Sequence, residues 1–193
     1  YITSQNISII SSKELLKAAC CNLSESFETN PSIDVNFSEA VSGTKQIKML
    51  GLNSPYILIT NENIPAVRGA AQVYGMSFIP GSWVESIQVT KGAGSVINGF
   101  ESITGQINAE LVKPLTDPKL FVNLYGSING RLELNTHLNT RLNSNWSTGF
   151  YIHADTRDQT FDKNKDSFLE MPLGKQINVM NKWQYTNIKK GLM

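Results

Sequence analysis

Residues 162–170 carry the side chains with the clearest potential for chemistry in this sequence. Asp162, Asn164 and Asp166 stand at alternate positions, and Glu170 follows four residues later. Alternating Asp and Asn side chains can turn several oxygens towards one centre, as positions 1, 3 and 5 of an EF-hand loop do. Calcium accepts six to eight such hard oxygen ligands in flexible geometry. We therefore expect a calcium site built from these four residues, in a loop at 158–174.

The segment departs from an EF-hand loop at two positions. Ser167 stands where position 6 requires glycine, and Leu173 stands where position 12 carries a bidentate glutamate. Both departures weaken the expected affinity for calcium. The alternative is an acidic loop that its charge keeps soluble, with Lys163 and Lys165 partly neutralising the carboxylates.

The remaining reactive residues do not form a catalytic set. His137 and His153 fall on the polar faces of neighbouring predicted strands, where they either contact a ligand or line the surface. Cys20 and Cys21 are adjacent, a spacing that rarely allows an unstrained disulfide, so we expect two free or buried thiols rather than a vicinal metal or redox pair. Residues 91–95 lack the order of a phosphate-binding loop and predict a turn. Because no nucleophile elbow or zinc-like spacing is present, the sequence predicts no enzyme.

Charge and hydropathy exclude two classes of protein. Seventeen basic and sixteen acidic residues leave a formal charge of +1, without the basic excess of a nucleic-acid binder. Apolar runs are much shorter than the roughly 18 residues of a membrane-spanning helix. A membrane-spanning β-strand needs only about 9–11 residues of alternating character, so the short apolar runs do not exclude a transmembrane β-barrel. The start at Tyr1 carries no signal-peptide pattern, so we expect a mature or truncated chain.

The first 115 residues predict a small domain of mixed helix and strand. Ser11 and Glu14 form a capping box, and the apolar residues after them predict a helix at 12–21. A long connection at 61–82, rich in Gly and Pro, is of the kind that is usually functional. Short apolar runs between turn residues predict strands at 45–50, 56–60, 85–91 and 105–111.

The sequence after Pro118 alternates between apolar and polar residues. From 131 to 142, every even position except those of the two Thr is Leu, and the odd positions are charged, amide or imidazole. Segments near 120–124, 146–154 and 177–185 repeat the rule, with Asn181 as an exception. The longest of these segments is about twelve residues, against about five or six for an average strand, which favours a transmembrane barrel. We expect one common face for Leu132, Leu134, Leu138, Leu142, Phe150 and Ile152.

The connections between these segments fit the same architecture. Asn143-Ser144-Asn145 is a tight turn, and 158–174 is a long polar loop, as in barrels with short periplasmic turns and longer external loops. Four strands cannot close a barrel. The tail therefore predicts an incomplete transmembrane β-barrel.

One stretch resembles a known family. Residues 80–92 (PGSWVESIQVTKG), followed by Ser95-Val96-Ile97-Asn98-Gly99 and Gly105-Gln106-Ile107-Asn108, resemble the end of the plug domain of TonB-dependent outer-membrane receptors. Residues 48–52 occupy the place of an Ile-Arg-Gly motif, and 57–65 resemble the strand and turn after it. Leu50 stands where the family has arginine, so the role of that arginine is in doubt in this chain.

The resemblance implies an α+β plug domain at 1–115, followed by antiparallel β-strands of an incomplete transmembrane β-barrel at 116–193. It implies energised uptake of a scarce solute, such as an iron chelate, cobalamin or a glycan, across the outer membrane of a didermic bacterium. The partners implied are TonB, which grips a segment upstream of this chain, the small-molecule substrate and outer-membrane lipid. No nucleic acid is expected.

The same resemblance points the connection at 61–82 towards the external cavity where such receptors hold their substrate. Arg68, Gln72 and Tyr74 lie in that connection and are the predicted substrate-binding residues. The alternative function is a soluble β-rich ligand-binding or adhesion module without transport.

Overall fold

The computed structural model describes residues 6–17, 22–23, 25–27, 33–37, 45–72, 75–94, 96–160, 162–169, 172–187 and 191–192. Cys20 and Cys21 lie outside these residues. The chain divides into two compact units, Tyr1–Leu111 and Val112–Met193. No helix within the described ranges is long and apolar enough to cross a membrane.

The described part of the first unit contains eight strands and one α-helix, together with short 3-10 turns. The strands are β1 (Asn6–Ser11), β2 (Asp34–Phe37), β3 (Lys45–Met49), β4 (Leu52–Asn53), β5 (Ile57–Asn61), β6 (Ile64–Pro65), β7 (Val84–Lys91) and β8 (Gly105–Leu111). They form a five-stranded sheet in the order β1-β7-β8-β5-β6 and a three-stranded sheet in the order β2-β3-β4. Only the β5–β8 pair is parallel among the pairs of these two sheets. The four predicted core strands are confirmed, and the architecture is α+β.

The helix α1 (Ser12–Lys17) begins at the predicted capping box. The Glu14 carboxylate accepts hydrogen bonds from the backbone N–H of Ser11 (2.7 Å) and from its hydroxyl (2.9 Å). This contact satisfies a donor that the first helical turn leaves without a partner. The predicted helix is confirmed as far as Lys17, and residues 18–21 lie outside the described ranges. Strand β1, which precedes the helix, was not predicted.

The core of the first unit lies around the centre of the five-stranded sheet. Strand β5 begins with the apolar run Ile57-Leu58-Ile59, is buried from Ile57 to Thr60, and pairs on both edges, with β8 and β6. Strand β7 alternates, and it buries Ile87 and Val89. The fully buried apolar side chains include Leu23, Phe27, Ile47, Met49, Ile57, Ile59, Met76, Ile87, Val89 and Ile107.

A buried asparagine fixes the turn from which the long connection of this unit starts. Asn108 Oδ1 accepts hydrogen bonds from the Thr60 hydroxyl and from the backbone N–H of Asn63, both at 2.8 Å. Its Nδ2 donates to Glu110 Oε1 at 2.9 Å. The turn itself places Glu62 and Asn63 at positive φ, 51° and 64°. Asn108 is 2% exposed, so these bonds satisfy a polar group that would otherwise be costly to bury.

The described part of the second unit is an antiparallel meander. Its strands are β9 (Leu120–Gly126), β10 (Arg131–Arg141), β11 (Trp146–Arg157), β12 (Gly174–Asn187) and β13 (Gly191–Leu192), and each pairs with the next along the chain. The tight turn at 143–145 and the long loop after Arg157 lie where the sequence predicts them. The predicted incomplete transmembrane β-barrel is confirmed as an open sheet of antiparallel strands.

Burial in the second unit is reversed relative to a water-soluble sheet. One face, named here the apolar face, carries the six side chains that were predicted to share a face. Five of them are exposed, among them Leu132 at 62% and Leu138 at 56%, and Ile152 is partly buried. The opposite face, named the polar face, buries Glu133, Asn135, His137, Asn139, Ser147, Tyr151 and His153. Apolar side chains outside and polar ones inside are typical of strands surrounded by lipid.

Candidate functional site

The predicted substrate-binding residue Arg68 lies in the first unit, at the start of a 3-10 turn (Gly69–Gln72). Its guanidinium forms a two-point contact with the Glu101 carboxylate: Nε donates to Oε1 at 3.1 Å, and the second nitrogen donates to Oε2. This hydrogen bond, followed by the negative charge of Glu101, raises the pKa of Arg68. A solute that binds Arg68 therefore has to share it with Glu101 or displace that carboxylate.

The structure does not describe the other two predicted substrate-binding side chains. The backbone of Gln72 ends the same 3-10 turn, but its side chain lies outside what is described. Tyr74 lies outside the described residues altogether. That Arg68, Gln72 and Tyr74 surround one solute therefore remains a prediction. The contact between Arg68 and Glu101 was not predicted from the sequence.

The predicted calcium ligands lie in an exposed loop that is folded by its own acidic side chains. Asp162 accepts hydrogen bonds from the backbone N–H groups of Asp166 (3.2 Å) and Ser167 (3.0 Å). Asn164 donates to Asp166 Oδ2 at 2.9 Å, and Asp166 Oδ1 accepts from the Phe168 N–H at 2.8 Å. Glu170 lies outside the described residues.

Asp162, Asn164 and Asp166 thus lie in one turn, as the spacing predicts, but their oxygens accept hydrogen bonds from backbone amides and, at Asp166 Oδ2, from the Asn164 side chain. In the part of the chain that the structure describes, no group of three or more His, Cys, Asp or Glu is arranged to hold a metal ion. The calcium site remains a prediction.

The first polar cluster in the second unit centres on Asp117, which precedes β9. Asp117 Oδ2 lies 3.1 Å from His137 Nδ1 and accepts a hydrogen bond from Asn139 Nδ2 at 2.8 Å. The Tyr151 hydroxyl donates to Asn139 Oδ1 at 2.8 Å. His137 is 2% exposed, so it is a packed residue of the polar face rather than an open ligand-contacting side chain.

The second polar cluster lies further along the same two strands and surrounds His153. Its Nδ1 lies 2.8 Å from Asn135 Oδ1 and 3.7 Å from Glu133 Oε1, and its Nε2 lies 3.2 Å from Asp155 Oδ2. Asn135 Nδ2 also donates to Glu133 Oε1 at 2.7 Å. The polar faces predicted for both histidines are confirmed, and each histidine is held by a carboxylate within its own unit.

The segment between Val112 and Pro118 is tied to the polar face of the sheet at several points. The Val112 carbonyl accepts from Lys182 Nζ at 3.3 Å, the Leu115 N–H donates to Gln184 Oε1 at 3.3 Å, and the Pro118 carbonyl accepts from Asn139 Nδ2 at 2.8 Å. Sequence reasoning missed this attachment because it joins residues 21 to 70 positions apart.

Aromatic side chains gather on the apolar face near the short turn at 143–145. Trp146 contacts Trp183 with ring centroids 6.3 Å apart and Tyr185 with centroids 5.0 Å apart. Trp and Tyr rings at one end of an apolar band are typical of the aromatic girdles of membrane barrels. The cluster lies at the end of the apolar face that carries the turn at 143–145.

An α+β unit followed by long antiparallel strands with an exposed apolar face fits the class of outer-membrane receptors that carry a plug domain. Residues 2–106 match the family model described as the TonB-dependent receptor plug domain. This match covers more than half of the 193 residues, so the chain belongs to the TonB-dependent receptor plug domain family. A search of curated protein sequences finds none that matches.

Solved structures share the fold of both units. The siderophore receptor PiuA from Acinetobacter baumannii matches with a TM-score of 0.71 and 15% identity, over 95% of this chain and 24% of that chain. The ferric yersiniabactin uptake receptor FyuA from Yersinia pestis matches with a TM-score of 0.73 and 13% identity, over 95% of this chain and 29% of that chain. The FrpB iron transporter from Neisseria meningitidis matches with a TM-score of 0.73 and 16% identity, over 97% of this chain and 30% of that chain. At these identities the likeness shows the fold alone.

The chain spans less than a third of each of these three structures. Family membership confirms the predicted location in the outer membrane of a didermic bacterium.

Proposed function

We propose that this chain is part of a TonB-dependent receptor that imports a scarce solute across the outer membrane. The observation that carries the proposal is the combination of a plug-family first unit with a sheet whose apolar face is exposed and whose polar face is buried. A soluble β-rich binding module would bury the apolar face instead, since exposed apolar patches of this extent favour association.

The proposed partners follow from the same class. TonB engages a segment upstream of this chain, the solute binds on the external side, and lipid contacts the apolar face. An iron chelate is the first solute to test, because PiuA, FyuA and FrpB are named for siderophores, ferric yersiniabactin and iron. Cobalamin and glycans are the alternatives. Arg68, Gln72 and Tyr74 are the proposed solute contacts in the first unit.

Uptake measurements on cells test this function. Cells that carry the gene are compared with a deletion strain for accumulation of radiolabelled ferric chelates, cobalamin and oligosaccharides, with and without an uncoupler of the inner-membrane proton gradient. We expect one solute class to accumulate only with the gene and only in energised cells. If deletion leaves the uptake of every class unchanged, or if accumulation persists in de-energised cells, energised import by this protein is ruled out for those solutes.

A further inference from the structure

Two arginines lie directly opposite each other on the polar face. Arg131 begins β10, Arg157 ends β11, and the strand register pairs them. Like charges at directly opposite positions of an antiparallel pair destabilise it. The repulsion between the two positive charges lowers the stability of the sheet, and a bound group of negative charge would offset it.

The carboxylates of the next rung are already engaged. Glu133 and Asp155 pair with each other in the register, one step along the polar face from the arginines. Glu133 Oε2 lies 3.5 Å from Arg131, and Asp155 Oδ2 lies 3.2 Å from His153 Nε2. Neither carboxylate contacts Arg157 within hydrogen-bonding distance. The two carboxylates balance the two arginines in number, but both contact other side chains, so Arg157 has no carboxylate of the described residues in contact with it.

Arg157 has unused hydrogen-bonding capacity. Its Nε is buried and makes no hydrogen bond to any residue within the described ranges. A guanidinium carries five donors in a fixed fork that matches the oxygens of a carboxylate or phosphate. Burying a charged donor without a partner is costly, and an anion that accepts from Arg157 would remove that cost.

The pair lies at the end of the sheet from which the long loop departs. Arg157 is partly buried, whereas Asp158 and Gln159, which follow it, are exposed. Gln159 packs against the turn before Arg131, where Gly130 has a φ of 75° and a Cβ would lie 2.7 Å from the Gln159 Cβ. By the rule that long barrel loops are external, this end faces the outside of the cell.

We propose that Arg131 and Arg157 form a binding site for an anionic group, a carboxylate or phosphate, of the imported solute. The identity of the ligand as the solute rests on the proposed import function. Leu132 and Thr156, the pair next to the arginines, lie on the apolar face. The arginines therefore lie on the side of the sheet away from lipid, and the site takes a group from a dissolved molecule rather than from a lipid headgroup.

Inorganic phosphate is the probe that tests the site. The full-length gene product, purified in detergent, is heated in buffers where phosphate replaces chloride at constant pH and ionic strength. We expect a saturable rise in Tm for the unmodified protein, because a ligand that binds only the folded state stabilises it. Arg157→Gln should raise the phosphate concentration for half-maximal effect at least tenfold. Arg157→Lys keeps the positive charge but loses the paired N–H donors of the guanidinium, so it should raise the half-maximal phosphate concentration by a smaller factor.

The control is Lys165→Gln, which removes a positive charge from the exposed loop. Phosphate also stabilises proteins generally by exclusion from their surface, and that effect is the same in every variant. We expect Lys165→Gln to respond as the unmodified protein does. Arg157→Gln should also have an unchanged or higher Tm in chloride alone, because it relieves repulsion, whereas loss of a structural arginine would lower the Tm.

Two results would overturn the inference: an equal phosphate response in Arg157→Gln and the unmodified protein, or a lower Tm of Arg157→Gln in chloride. Neither measurement involves transport. A protein that binds phosphate through Arg157 but imports nothing would refute the proposed function and leave the anion site standing. A protein that imports its solute but shows no Arg157-dependent phosphate response would refute the anion site alone.

Discussion

The indole N–H of Trp183 donates a hydrogen bond to Asn181 Oδ1 at 2.5 Å on the apolar face of β12. Asn181 interrupts the alternation of the tail, and its Nδ2 donates to Thr148 Oγ1 at 3.2 Å and to the Gly149 carbonyl at 3.0 Å. Its amide is therefore satisfied on both sides within the sheet. This explains how an asparagine lies between the exposed side chains of Val179 and Trp183 on the apolar face.

The Asn181–Trp183 contact should be measurable as an interaction energy. We expect a double-mutant cycle of Asn181→Ala and Trp183→Phe to give a coupling of about 0.5–1.5 kcal/mol in unfolding free energy, since hydrogen bonds in membranes are worth about this much. The measurement is urea unfolding of the full-length gene product in lipid vesicles. As a control, Asn181→Ala with Ile177→Ala should show coupling near zero. Coupling of the same size in both cycles would contradict a specific bond.

The turn between β3 and β4 carries a strain that substitution should relieve. Leu50 has a φ of 51° and is 70% exposed, and Gly51 follows it with a φ of 80°. Left-handed backbone is unfavourable for a leucine and is tolerated by asparagine. Leu50→Asn should raise the unfolding free energy by about 0.5–1 kcal/mol in urea denaturation of the full-length gene product.

Leu52→Asn is the matched control for that variant, because Leu52 is also exposed but lies in a strand. Asparagine is depleted in strands, so this substitution should leave stability unchanged or lower it. If Leu50→Asn is no more stable than Leu52→Asn, backbone strain at Leu50 is not the cause.

Periodicity predicts the second unit better than the first, for a physical reason. Alternation fixes which face each residue of β10 occupies without knowledge of its partners, so the placement of Leu138 and His137 on opposite faces follows from the sequence, whereas the burial of His137 does not. Pairing between distant strands leaves no such local signal. Strand β1 and the parallel β5–β8 pair were therefore missed.

In the candidate sites, too, local contacts could be predicted from the sequence and long-range contacts could not. The spacing of Asp162 and Asp166 correctly predicts that they share one turn, because the contact is local. The partner of Arg68 is 33 residues away, at Glu101, and sequence reasoning did not identify it. The Arg131–Arg157 pair likewise depends on strand register, which the lengths of two strands and their turn fix only once the sheet has formed.

The loop after β11 gives a test for calcium. We expect millimolar calcium to raise the Tm of the full-length gene product, and the double variant Asp162→Ala, Asp166→Ala to lose that response. Asp162 and Asp166 also accept backbone hydrogen bonds, so the double variant should have a lower Tm even without calcium. The measured quantity is therefore the calcium-induced shift within each variant.

Asp158→Ala is the control for the calcium test, because it removes a different carboxylate of the same loop. The Asp158 carboxylate pairs with Lys175 of β12 at 3.2 Å. This variant should keep the calcium-induced shift. If the unmodified protein gains no stability at millimolar calcium, or the double variant gains as much, Asp162 and Asp166 do not bind calcium.

A glycine on the polar face of β11 provides a test of packing in the second unit. Gly149 lies opposite Asn139, and a Cβ at Gly149 would lie 2.3 Å from Asn139 Oδ1 and 2.6 Å from the Tyr151 hydroxyl oxygen. Alanine there would push aside the tyrosine that donates to Asn139 and so disturb the cluster around Asp117. We expect Gly149→Ala to cost about 1–3 kcal/mol of unfolding free energy, the usual cost of overpacking.

Gly126→Ala is the matched control, because a Cβ at Gly126 would be 3.5 Å from Leu132, an ordinary contact distance. This substitution should change stability by less than about 0.5 kcal/mol. The cost of Gly149→Ala should also shrink when Tyr151→Ala has already removed the ring, which separates a clash with Tyr151 from a general effect of alanine in a strand. Equal costs in the presence and absence of the Tyr151 ring would show that Gly149 is not required for the close approach of that side chain.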